Sequence, residues 1–268
     1  MLKNELKIIS FNIWDLPFFT RKTRVSRIKQ IAHFLKNSQA DIICLQEAWN
    51  LDSQRIIKEI LDPKYFSWED AIATSKHKLW GFSRAQGGLM ILSLFPIVSM
   101  RFTPFSIFHW SWTEWFGNKG ILDFYLKSPW GKLRVVNTHL YQPGIFVRLK
   151  QFKKLIKYLS EEPETPAIIA GDFNEDKLLE KNRFVKLLES QFYFHPALST
   201  DAPLYTYRLE NPHTQTWINK IATSFHLDYF FVKGLETLGL EINHYAPIHL
   251  EPTLSDHDPI ILNLCNKK

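Results

Sequence analysis

Hydrophobic positions along this chain change period several times. Leu6 to Ile13 predicts a buried strand, and Val25, Ile28, Ala32 and Leu35 then recur at helical spacing. Asp41 to Gln46 (DIICLQ) predicts a second strand, Ser53 to Leu61 a helix, and Gly88 to Val98 a further strand. Leu133 to Thr138 continues the strand-rich middle, after which Leu149, Phe152, Leu155, Ile156 and Leu159 mark an amphipathic helix. Beyond Pro166 come the strand AIIAGDFN, a helical stretch around Leu178 to Leu188, and the late strands LDYFFV and DPIILNL. There is no internal repeat, low-complexity tract or long linker. Interleaved strands and helices predict an α/β protein, its sheets covered by helices, organised as a single domain over residues 1–268. Periodicity leaves the strand order open.

Composition narrows the class without choosing a function. Apolar residues make up 45% of the chain and charged residues 22%, a balance that buries a sizeable core and excludes a disordered polyelectrolyte. Lys and Arg number 33 against 27 Asp and Glu, and the net +6 favours polyanionic surfaces, nucleic acid or acidic lipid alike. Cys44 and Cys265 end hydrophobic stretches and read as free buried thiols. The opening MLKNELKIIS lacks the layout of a secretory signal. No window reaches the roughly 18 uninterrupted apolar residues of a spanning helix, since even Phe102 to Phe116 is broken by Pro104, His109 and Glu114. The expectation is a cytoplasmic protein or one in peripheral contact with a membrane.

The strands end in polar residues that packing does not require: Asn12, Gln46 and Glu47, His139, Asp172 and Asn174, Asp228, and Asp256 with His257. Any one of these is an ordinary turn or cap residue. Together they ask for a common reason, and hard divalent cations supply one, because they prefer carboxylate and amide oxygens. Glu47, Asp172 and Asp256 are suitable donors, while no cysteine and histidine cluster has structural zinc spacing. Asp228 and His257 are candidates for a carboxylate and imidazole pair that activates water.

These same segments resemble, in order, the motifs of the endonuclease/exonuclease/phosphatase superfamily: FNIW at 11–14, LQEAW at 45–49, NTHL at 137–140, GDFN at 171–174, LDYFF at 227–231 and SDHDP at 255–259. The resemblance implies two packed β-sheets flanked by helices, a four-layer α/β/β/α sandwich, with the site at one rim. It implies that Glu47 binds the metal with Asn12 beside it and Asp256 completing the polar shell. Asp172 and Asn174 would orient nucleophile and phosphate, His139 would stabilise the phosphate or leaving group, and Asp228 with His257 would form the acid and base pair. The implied cofactor is Mg2+, with Mn2+ or another divalent cation as a substitute, and the implied reaction is in-line attack of water on a phosphodiester.

Within that superfamily, FNIWDLPFFTRKTRVSRIKQI and WFGNKGILDF are similar to segments of neutral and bacterial sphingomyelinases. On that resemblance Lys119 faces the scissile phosphate, Glu114 is its acidic partner, a strand follows the Lys-Gly pair, and the substrate is sphingomyelin, cleaved to ceramide and phosphocholine. Trp110 and Trp112 stand two apart in a strand-like stretch that also holds Phe102, Phe105, Phe108, Trp115 and Phe116, an aromatic density suited to a lipid interface or a quaternary ammonium. Phe18, Phe19, Arg21, Lys22 and Arg24 offer a second aromatic and basic surface. The partner expected is a phospholipid at a membrane surface. The rivals are a nucleic-acid phosphodiesterase with the same metal site and a binding module without catalysis.

Overall fold

The computed structural model describes residues 3–16, 21–61, 63–66, 78–79, 82–83, 87–105, 117–142, 144–176, 195–196, 205–215 and 221–267. The expected helix at 178–188, Phe18 and Phe19, and the segment from Phe108 to Phe116 with Glu114 lie outside the described residues.

Chain order runs β1 (Glu5–Asn12), α1 (Arg21–Ser38), β2 (Ile42–Gln46), α2 (Leu51–Ile60), a short hairpin β3 (Lys78–Leu79) and β4 (Phe82–Ser83), then β5 (Met90–Ser93), β6 (Ile97–Pro104), β7 (Gly120–Ser128) and β8 (Gly131–His139). It continues through α3 (Ile145–Leu159), β9 (Ala167–Asp172), β10 (His195–Pro196), β11 (Asp228–Lys233), β12 (Leu240–Pro247) and β13 (Ile260–Asn266). Five strands form one sheet in the order β12-β13-β1-β2-β5, and six form another in the order β10-β11-β9-β8-β7-β6. Neither order could be read from periodicity.

Three apolar layers hold these sheets together. Between them lie Leu6, Ile8, Ile42, Cys44, Val135, Ile168, Phe230 and Leu262. On the outer face of the five-stranded sheet, Ile28, Ile31, Leu35 and Ile57 of α1 and α2 pack on Ile9, Phe11, Ile43 and Leu45. On the outer face of the six-stranded sheet, Phe152, Leu155 and Ile156 of α3 pack on Val136, Ile169 and Phe231. The result is the four-layer α/β/β/α sandwich, and both faces of the inner strands are buried because each meets an apolar layer.

The expected strand at 88–98 is two strands. Leu94 and Phe95 form a bend before Pro96, and the chain crosses from the five-stranded sheet (β5) to the six-stranded one (β6). Pro96 cannot donate to a ladder, so it punctuates the run instead of continuing it. The Cys44 thiol is fully buried and burial pushes its pKa well up, consistent with an inert free cysteine, whereas Cys265, expected to be buried too, is only partly so where β13 reaches its end.

Candidate active site

The period-two alternation of the inner strands places the site. Inward positions in β1 read Leu6, Ile8, Ser10, Asn12; in β2 they read Ile42, Cys44, Gln46; in β8 Leu133, Val135, Asn137, His139; and in β9 Ile168, Ala170, Asp172. In each case the side chain facing the other sheet turns from apolar to polar as the strand nears its carboxyl end. β11 runs antiparallel to β9 and begins with the polar residue, Asp228, before Phe230 and Val232. Register aligns Asp228 with Asp172 and Asp172 with His139, and aligns Asn12 with Gln46 in the facing sheet. The polar residues therefore gather at one end of the inter-sheet core.

Behind this rim, Gln46 donates to Asn137 Oδ1 at 2.7 Å, and the Asn137 amide donates to the Leu45 and Met90 carbonyls at 2.8 and 3.1 Å. These bonds tie β8 to β2 and β5 and satisfy polar groups that would otherwise be costly to bury. In front of it, Asn12 Nδ2 donates to Asp172 Oδ2 at 3.0 Å, and Asn174 N donates to Asp172 Oδ1 at 2.8 Å. Gly171, one residue before Asp172, has φ +155, and a Cβ there would collide with the Thr138 carbonyl of β8. Glycine is required for the two strands to close up beside the site.

His257 Nδ1 lies 2.8 Å from Asp228 Oδ2, and its Nε2 lies 3.6 Å from Asp172 Oδ2. One ring nitrogen is thus held by a carboxylate and the other faces the site. Burial disfavours the charged ring, but Asp228 and Asp172 outweigh it and hold His257 well above the usual histidine range. His139 has the opposite fate. Its Nε2 is 2.9 Å from Lys119 Nζ, and burial, reinforced by Lys119 and His257, keeps its pKa well below the ordinary value. Lys119 also donates to the Leu140 carbonyl at 2.8 Å, which fixes the ammonium in the site.

Glu47 follows β2 with φ 55, its Oε1 3.9 Å from His139 Nε2. Burial raises its pKa, as it does for Asp172, to about 6, and for Asp256, to about 7. Asp228 adds to the shift at Asp172, and Glu47 adds to that at Asp256. Glu47 Oε2 is buried with no hydrogen-bond partner among the described residues. Asn12 Oδ1 accepts from Trp14 N at 3.1 Å and keeps a second lone pair. An orphaned carboxylate oxygen, a second repelled carboxylate and an amide oxygen fit a hard divalent cation, so Glu47, Asp256 and Asn12 suit the role expected of them. Asp172, Asp228 and His257 also present ligand atoms within 4.8 Å of one another, but there the His257–Asp228 bond already occupies one atom of each partner.

Backbone strain concentrates here. Of the five non-glycine residues with positive φ among those described, four adjoin the site: Trp14, Glu47, Asn118 and Asn174. Such conformations persist where surrounding structure over-determines them. Arg27 supplies part of that constraint at Trp14, donating to the carbonyls of Trp14, Ile13 and Leu254 at 2.7, 2.5 and 2.9 Å.

All nine expected site residues meet at this rim. The segment Thr206–Arg208 was not among them, although it joins the segments that carry Asp228 and His257. Thr206 Oγ1 accepts from Leu227 N and Asp228 N at 3.1 and 3.3 Å, and its carbonyl accepts from Asp258 N at 2.7 Å. The Tyr207 ring packs edge-on against His257 at 4.9 Å, and Arg208 pairs with Asp258. The only sequence signal was a run of large and hydrogen-bonding residues, YTYR, outside any strand pattern.

Such a rim suits a divalent cation together with an anion that the lysine and imidazoles would face. The chain belongs to the Endonuclease/Exonuclease/phosphatase family, whose model matches residues 9–257. By sequence, inositol phosphosphingolipids phospholipase C of Schizosaccharomyces pombe is 28% identical over 186 residues, 63% of this chain and 41% of that protein. The chain spans between 30% and 41% of the length of the curated relatives it matches. Among solved structures, sphingomyelinase C from Streptomyces griseocarneus superposes with TM-score 0.73 at 19% identity, covering 97% of this chain and 99% of the other. TDP2 of D. rerio, complexed with a single-strand DNA product, gives TM-score 0.75 at 17% identity, covering 98% and 99%. At these identities the two structures establish the fold alone.

Proposed function

We propose that the protein is a divalent-metal-dependent phosphodiesterase whose substrate is a sphingophospholipid, sphingomyelin first among them, cleaved to ceramide and phosphocholine. The observation that carries the reading is the position of Lys119: the residue singled out by its similarity to sphingomyelinases stands 2.9 Å from His139 Nε2, inside the ring of carboxylates and imidazoles. Similarity to the S. pombe phospholipase supports the same substrate class.

In its neutral form His257 takes a proton from water on Nε2 as the water oxygen bonds to phosphorus, and Asp228, on Nδ1, orients the ring and stabilises the imidazolium that results. The bond from phosphorus to the ceramide oxygen breaks on the opposite side, and that alkoxide collects a proton. Asp172 is held from both sides, by the Asn12 amide and Asn174 N, so it presents a fixed carboxylate toward the attacking water. Lys119 faces the phosphoryl oxygens, where preorganised positive charge is worth most, and neutral His139 holds the ammonium there by accepting its hydrogen bond at Nε2. Glu47, Asn12 and Asp256 would hold Mg2+ or Mn2+, which supplies Lewis-acid polarisation of the phosphoryl group.

A nucleic-acid phosphodiester offers the same reacting group, so substrate choice is decided by assay. The purified protein with Mg2+ is tested on sphingomyelin in detergent micelles, on a soluble chromogenic phosphodiester and on an abasic-site duplex. Phosphocholine release abolished by EDTA is the expected result. Strong duplex cleavage with no phosphocholine release overturns the lipid reading.

A further inference from the structure

Helix α3 carries three jobs on three faces. Its buried face, Phe152, Leu155, Ile156 and Leu159, packs on the sheet. Its flank is spent on tertiary bonds: Arg148 Nε donates to Glu175 Oε2 at 2.8 Å, Gln151 accepts from Tyr141 N at 2.7 Å, and Lys154 donates to the Pro104 and Phe105 carbonyls at 2.9 Å. The remaining face presents Phe146, Lys150, Lys153 and Lys157, all exposed and spaced by four, three and four residues. At 3.6 residues per turn these form one stripe along the helix. Phe146 is 78% exposed and its neighbour Ile145 is 43% exposed, although full exposure of a Phe forgoes favourable burial. The helix contains no acidic residue, and none of the three lysines forms an ion pair with a described residue.

This stripe begins at the site. The Leu140 carbonyl, six residues before Phe146, accepts from both Lys119 and Asn174 at 2.8 and 3.0 Å, and Glu175, which anchors Arg148, directly follows Asn174. The apolar tip of α3 is therefore pinned to the active-site rim. Two further exposed apolar residues, Tyr205 and Leu209, flank Tyr207, whose ring touches His257. Of the six large apolar side chains exposed among the described residues, four thus sit on the two segments that border the site, while Phe66 and Val98 lie elsewhere.

We propose that the Ile145–Phe146 tip and the Lys150, Lys153 and Lys157 stripe of α3 form a docking surface for an anionic lipid bilayer. The helix lies along the surface, its tip entering the interface and its lysines meeting acidic head groups, so that the adjoining site rim borders the membrane. The inference rests on the lipid reading above for its purpose, but not for its physics. The lysines alone would suit nucleic acid equally, and an exposed Phe can stack on a base, but the adjoining aliphatic Ile145 has no such use and the paired tip favours lipid.

The test uses sedimentation with phosphatidylcholine vesicles, with and without phosphatidylserine, and none of either contains sphingomyelin. Wild type sediments with the phosphatidylserine vesicles. K150Q/K153Q/K157Q weakens that binding by about a hundredfold, since each basic residue near an acidic surface contributes about fivefold. I145S/F146S weakens it about tenfold or more. Both variants keep wild-type rates on the soluble diester, which shows them folded. Unchanged binding in either variant, no wild-type binding, or loss of duplex DNA binding by the lysine variant where wild type ignores vesicles, overturns the surface. Because micellar sphingomyelin needs no bilayer, failure of that assay overturns the substrate reading separately.

Discussion

Asn12 of β1 donates to Asp172 of β9 at 3.0 Å, and this bond passes from one sheet to the other. Site geometry is therefore set by how the sheets pack. Asn12→Ala leaves Asp172 Oδ2 buried without that donor and removes an amide oxygen from the proposed cation shell. Turnover should fall about 10²-fold, with urea stability lower by roughly 1–3 kcal/mol. Wild-type turnover in the folded variant would remove Asn12 from the mechanism.

His257→Ala and Asp228→Asn should each lower the rate by about 10² to 10⁴. Because His257 Nδ1 and Asp228 Oδ2 are 2.8 Å apart, the double variant should be little worse than the poorer single one. Multiplicative losses would show that the two side chains act separately.

Much of this site was legible because buried strands force a choice at every second position. In β1, β2, β8 and β9 the inward row ends in Asn12, Gln46, His139 and Asp172, residues with no apolar partner to pack against. What was not legible depends on pairing. β6 alternates between exposed and partly buried positions at the sheet edge, β12 is an edge strand as well, and neither gives a hydrophobic run. β7 interrupts its apolar run with Asp123, which is buried against Arg134 of the neighbouring strand at 2.7 Å, and only the resemblance around Lys119 pointed to it. Thr206 and Tyr207 were missed because their importance lies in contacts to Asp228 and His257, more than 20 residues away.

Glu47 offers a signature that separates metal binding from folding. Burial raises its pKa, and Oε2 lacks a hydrogen-bond partner among the described residues, so the metal-free protein holds this carboxylate at a cost. Glu47→Gln should be as stable as wild type or more so in EDTA, yet inactive. Mg2+ at a hundred times its Kd should stabilise wild type by about 2.7 kcal/mol and the variant far less. Equal Mg2+-dependent rises in Tm would exclude Glu47 as a ligand.

Asp15, whose backbone N–H donates to the Glu47 carbonyl, provides a pH dependence from a side chain outside the proposed ligand set. Burial raises its pKa from 3.8 to about 6, against opposing bonds from Asn50. The folded chain binds this proton more tightly than the unfolded one, so the contribution is complete below about pH 4 and is lost as pH rises through about 6. The difference amounts to the order of 2–3 kcal/mol. Asp15→Asn should flatten the fall in urea stability across that window, and parallel wild-type and variant curves would contradict the assignment.

Lys119 and His139 allow the charge distribution of the site to be read directly. Their nitrogens are 2.9 Å apart, and the ammonium is one of the groups that, after burial itself, keeps His139 from charging. Lys119→Met removes that charge while retaining most of the stem. The His139 pKa, followed by NMR, should rise but stay below the ordinary histidine value, because burial and His257 still act on it. Turnover should fall about 10² to 10³-fold on sphingomyelin micelles and on the soluble diester alike, since the ammonium is proposed to face the phosphate common to both. Lys119→Arg should restore part of the rate but not the geometry, because the planar guanidinium cannot reproduce a point charge held by both His139 and the Leu140 carbonyl. A loss confined to sphingomyelin would place Lys119 in recognition of the lipid and take it away from the phosphate. An unchanged His139 pKa would show that the 2.9 Å contact carries no electrostatic weight.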